Sequence, residues 1–184
     1  KTSLGLKYQI KDSYVGKTSG YFSQVNSGSS NDLGAGMELD HNVVYYPYSS
    51  AVECAKSGSD YTLNVVLPDE QIYVSGSFGQ GNFPMVAVSE DNNITFRNVL
   101  GGMKLQLKGT QKVASIRLEG KDNEKLSGAA TVTCYTDNET KPAITMASGA
   151  STSITLDCGA GVQLNESSAT EFIIALPPVV FSKG

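Results

Sequence analysis

Apolar and polar residues alternate in short runs along this chain, and the runs end at glycine, proline or polar clusters. The clearest run is Met103-Lys104-Leu105-Gln106-Leu107-Lys108, which leads into Val113-Ala114-Ser115-Ile116-Arg117-Leu118. A period of two turns one face of a strand to a core and the other to water. Together with the Gly109-Thr110-Gln111 turn, the two runs predict a hairpin over 103–119. Asn42 to Tyr48 predicts a strand that ends at Pro47, because proline has no N–H for a ladder. Tyr61 to Leu67 predicts another, stopped by Pro68. Pro84 to Ser89 is apolar on both faces and predicts a buried strand. Further strands are expected at 21–25, 94–99, 129–135, 143–147, 152–158 and 171–176. Residues 26–36 and 69–83 are expected to be loops, 50–56 a helical turn or a loop, and 91–93 and 121–124 turns.

Strands spaced about 8–12 residues apart, with no long amphipathic helix, predict an all-β antiparallel sandwich with little or no helix. At 184 residues, with 40% hydrophobic residues, residues 1–184 are expected to form a single domain. The 19 glycines suit a protein of many turns. Basic and acidic residues number 14 and 18, a net charge of −4, with no Lys/Arg cluster, which argues against a nucleic-acid partner. No run reaches the roughly 18 apolar residues that span a bilayer. The apolar end at 176–181 suggests that more chain follows.

The catalytic inventory is thin, and no enzymatic activity is expected. His41 is the single histidine. A hydrolytic triad around it needs a nucleophile and an orienting acid, and no G-x-S-x-G elbow is present. Glu38, Asp40 and His41 match no strong metal spacing. Gly79-Gln80-Gly81 and Gly159-Ala160-Gly161 lack the full dinucleotide motif and are expected to connect strands. No cofactor or metal is expected. Cys134 and Cys158 both fall on core-facing positions. They are expected either as free thiols packed like small hydrophobes or as a Cys134–Cys158 bridge, with Cys54 left over. Tyr46 and Tyr48 share one strand face, and exposed tyrosines stack on sugars or anchor partners.

In order, the chain carries Val44-Tyr45-Tyr46-Pro47-Tyr48, Leu67-Pro68-Asp69-Glu70-Gln71, Pro84-Met85-Val86-Ala87 and Phe96-Arg97-Asn98-Val99-Leu100-Gly101-Gly102-Met103-Lys104-Leu105-Gln106-Leu107. It closes on Phe172-Ile173-Ile174-Ala175-Leu176-Pro177-Pro178. This order resembles the fimbrillin-like surface proteins of Bacteroides-type bacteria, over residues 40–178. The resemblance implies a transthyretin-like sandwich, here the first domain of two. It implies a pilus subunit or adhesin at the cell surface or outer membrane, exported and held there by a lipid anchor that this chain does not contain. Its partners are then other pilus subunits, copies of itself, or a host-surface protein or glycan. Such subunits assemble by strand addition. The N-terminal segment or the apolar end, with Leu176, Val179, Val180 and Phe181, is the expected exchanging segment. A carbohydrate-binding module is the alternative, with Tyr46, Tyr48 and Tyr73 as its contact residues.

Overall fold

The computed structural model describes residues 2–4, 6–15, 17, 20–25, 40–137 and 139–182. The loop expected over 26–36 lies outside them. The fold is all-β. Its strands are β1 Thr2–Leu4, β2 Tyr8–Ile10, β3 Phe22–Gln24, β4 Asn42–Tyr46, β5 Glu53–Ser57, β6 Asp60–Leu67, β7 Glu70–Val74 and β8 Ser77–Phe78. There follow β9 Met85–Ser89, β10 Arg97–Asn98, β11 Gly101–Leu107, β12 Lys112–Glu119, β13 Gly128–Cys134, β14 Ala143–Met146, β15 Ser153–Gln163 and β16 Thr170–Leu176. Among the described residues the one helical element is a single 3-10 turn, Asp12–Tyr14.

A five-stranded sheet in the order β1-β5-β6-β13-β14 shares a core with the three-stranded sheet β10-β9-β4. Alternate residues of β6, Tyr61, Leu63, Val65 and Leu67, point into it and meet Val132 and Cys134 of β13. Val43 and Tyr45 of β4 and Val86 of β9 also pack into it. A four-stranded sheet, β12-β15-β7-β8, shares a second core with the pair β11-β16. Ile154, Leu156, Phe172 and Ile174 fill that core and are almost wholly excluded from water. Each such side chain contributes roughly 1.5–3 kcal/mol by its burial. Two facing sheets over each core give the sandwich-like arrangement that the alternation predicts.

Several expectations need correction. The runs at 103–107 and 113–118 do not form a hairpin. β11 pairs with β16 and β12 pairs with β15, so the turn at 108–111 carries the chain between two sheets. Met103, Leu105 and Leu107 therefore pack into the same core as Val113, Ile116 and Leu118, from the opposite side. Alternation marks the apolar face of a strand but does not say whether the next strand lies beside it or across the core. Residues 69–83 are not all loop, since β7 and β8 pair there. Residues 53–57 form β5 rather than a helical turn. In the 94–99 run only Arg97–Asn98 is strand. The sheets are antiparallel except that β7 runs parallel to β15. Gly159 and Gly161 take φ of +58° and +91° where the register of β12 on β15 shifts, so they form a bulge within a strand instead of joining two strands.

Candidate functional site

The tyrosines expected to contact sugar separate into two environments. Tyr46 and Tyr48 are exposed at and beyond the end of β4, and the Lys7 ammonium lies 5.6 Å from the Tyr48 ring centre. Tyr73 corrects its expectation. It is half-buried and its ring packs 5.2 Å from that of Phe172, so it belongs to the second core. His41 is also accounted for by packing. Its Nδ1 lies 3.3 Å from the Tyr61 hydroxyl and its Nε2 3.5 Å from a Glu90 carboxylate oxygen, with no serine or cysteine joined to it among the described residues. Asp40 pairs with Lys56, which holds its carboxyl below the usual range. Glu38 lies outside the described residues. Among the described residues no group of three or more His, Cys, Asp or Glu is placed to hold a metal ion.

All three cysteines are free. Cys134 packs in the first core and Cys158 in the second, so the Cys134–Cys158 bridge does not form. Burial pushes the Cys54 thiol up to about 11 and that of Cys134 up to about 12, and it raises Cys158 as well.

The feature best suited to recognition is backbone. Gln71 is a fully buried polar side chain on β7. Its Nε2 donates to the Ala175 carbonyl at 2.7 Å, and its Oε1 accepts the Ala175 N–H at 2.9 Å. Ala175 sits opposite Gly102 in the β11–β16 ladder. Since both its main-chain groups go to Gln71, this is a non-hydrogen-bonded pair, and pairs of the two kinds alternate along the ladder. Gly102, Lys104 and Gln106 therefore aim their N–H and C=O groups away from β16. No strand pairs with β11 on that side among the described residues. Beneath this open edge Met103, Leu105 and Leu107 are only half-buried. So are Val113, Ile116 and Leu118 on β12, which is an edge strand of the facing sheet.

The expected exchange segment is docked. Leu176 is buried at the end of β16 and pairs with Gly101. Val179 and Phe181 pack against the second core, and Val180 is exposed. The Ser182 N–H donates to Glu124 Oε1 at 3.0 Å and its hydroxyl to Asp122 Oδ2 at 2.5 Å. Sequence reasoning missed the roles of Gln71 and Glu124, which depend on tertiary neighbours 104 and 58 residues away along the chain. No helix of the described residues is long and apolar enough to cross a membrane. No family model, curated protein or solved structure matches the chain.

Proposed function

We propose that this chain is a non-enzymatic surface subunit, a fimbrial or adhesive protein of the fimbrillin-like kind, that assembles by β-strand addition. The open edge of β11 carries this reading. An incoming strand finds unpaired N–H and C=O groups at Gly102, Lys104 and Gln106. Its alternate apolar side chains cover the half-buried rows of β11 and β12. The resemblance in motif order adds the transthyretin-like topology, the second domain and the lipid-anchored site at the outer membrane to the same proposal.

Gln106→Pro tests the reading. That N–H points away from β16, so proline there leaves the β11–β16 pairing intact and removes a donor that an added strand needs. In immunogold microscopy of cells making the native protein, label is expected along filaments, and Gln106→Pro shortens or abolishes them. Label spread over the cell body in both cases overturns the subunit reading. A second reading, surface glycan binding, rests on the exposure of Tyr46 and Tyr48. Loss of glycan-array binding in Tyr46→Ala and Tyr48→Ala then supports it, and Tyr73 is no longer among its contacts.

A further inference from the structure

The β2–β3 hairpin gives no side chain to either core. Among the described residues its strands pair only with each other, Tyr8 with Gln24 and Ile10 with Phe22. A lone two-stranded hairpin is marginally stable in water. Yet this one holds large apolar groups in solvent. Tyr8 is 53% exposed, Phe22 57% and Tyr21 67%. By register, Tyr8, Ile10 and Phe22 lie on one face. Tyr21 stacks edge-on against Tyr14 with ring centres 5.3 Å apart. Exposed Lys11 follows Ile10 and falls on the other face, where its N–H pairs with Tyr21, and the Lys17 ammonium lies 5.4 Å from the Tyr14 ring centre. The Tyr14–Tyr21 side of the hairpin is thus basic and aromatic on a chain of net charge −4. What covers it should be apolar and acidic.

The same molecule presents such a surface. On the outer face of the β12-β15-β7-β8 sheet, Ile72 and Val74 of β7 are 54% and 40% exposed. Asp69 and Glu70 are exposed at the start of that strand. Asp157 of β15 lies opposite Ile72. The one nearby cation on β12, Arg117, is 3.6 Å from Glu119. We infer that this face of β7 receives the β2–β3 hairpin of a second copy of the chain. Aliphatic groups meet aromatic ones, and the carboxylates of Asp69 and Glu70 meet the lysines. The two surfaces are different parts of one chain, so the contact is head to tail and extends into a row of subunits. This inference rests on the reading that copies associate, but it uses surfaces other than the β11 edge.

Reciprocal charge reversal tests it on the purified chain by analytical ultracentrifugation at low salt. Wild type is expected to gain mass with concentration and to lose that gain as salt screens the contact. Lys11→Glu/Lys17→Glu makes the hairpin acidic, and Asp69→Lys/Glu70→Lys makes the sheet face basic. All four positions are exposed, so both variants keep the fold, which circular dichroism checks. Each alone is expected to associate about tenfold more weakly than wild type. Mixed in equal amounts, they recover association, because each hairpin again faces a sheet of opposite charge. Wild type that stays monomeric, variants that associate like wild type, or a mixture that does not recover overturns the inference. So does monomeric wild type that binds an acidic glycan through Lys11 and Lys17. Gln106→Pro separates the two ideas. It is expected to leave this association unchanged, whereas loss of association in that variant assigns the contact to strand addition and overturns the hairpin contact.

Discussion

Gln71 does with one side chain what a neighbouring strand does with its backbone, since it satisfies both main-chain groups of Ala175. Replacing it by leucine keeps the volume and leaves a buried donor and acceptor unpaired. The expected cost is about 3 kcal/mol, because each orphaned group costs roughly 1–3 kcal/mol. Denaturant unfolding measures it, and a midpoint equal to wild type would show that water replaces the amide. This residue was illegible in the sequence because its strand is inverted. On β7 the polar Gln71 faces inward while Ile72 and Val74 face solvent, which hides the strand's core face, and Gly76, Gly79 and Gly81 mark the segment as a loop. The cysteines were half legible. Alternation placed Cys134 and Cys158 in a core, but pattern does not say which core, and they occupy different ones. The thiols of Cys54 and Cys134 lie near 11 and 12, so both are protonated and weakly nucleophilic at pH 8. A thiol-reactive dye should label the native protein slowly and then react with three equivalents on unfolding. One equivalent on unfolding would reveal a bridge.

Strands were more legible than their partners. β4, β6, β9 and β13 fall where short apolar runs, alternating or continuous, and flanking prolines put them, because those signals are local. The β11–β12 connection shows the limit, since the same apolar rows serve a hairpin or an arch across a core. The chain end at 177–182 is a third case. Its apolar residues predict contact, but its anchor is Glu124, a charged residue in what the sequence marks as a turn. The carboxylate accepts hydrogen bonds from the main-chain N–H groups of Glu124 itself, Asp122 and Ser182, and these hold it below the usual glutamate range. A depressed carboxyl value contributes stability that is complete above the unfolded value and is lost as pH falls through the folded one. The docking of the end is therefore expected to be intact at neutral pH and to weaken below about pH 4. The Ser182 amide resonance should titrate with that carboxyl, and Glu124→Ala should shift it at neutral pH to its acid position. An amide that is indifferent to both changes would show that Val179 and Phe181 alone hold the segment.

At the scale of the molecule, the two cores are wound from interleaved stretches of chain and cannot be cut apart at one linker. The first draws on 43–100 and 130–146, with Ala175 returning from near the C-terminal end. The second draws on 73, 103–126 and 154–181. Neighbours on β16 divide between them, Ala175 in the first and Leu176 in the second. Leu67 closes β6 in the first core only a few residues before Gln71 enters the contacts of the second sheet. Opening either core therefore pulls a strand of the other. This shared construction predicts one cooperative transition in calorimetry, with calorimetric and van't Hoff enthalpies equal. Leu63→Ala empties a site in the first core and should cost about 2–5 kcal/mol, and Phe172→Ala in the second about 3–5 kcal/mol. Each should lower the midpoint of the whole transition. If the cores were separate units, one substitution would split the trace and leave half of it at the wild-type temperature. A single shifted peak in both variants means that the two cores open together as one unit.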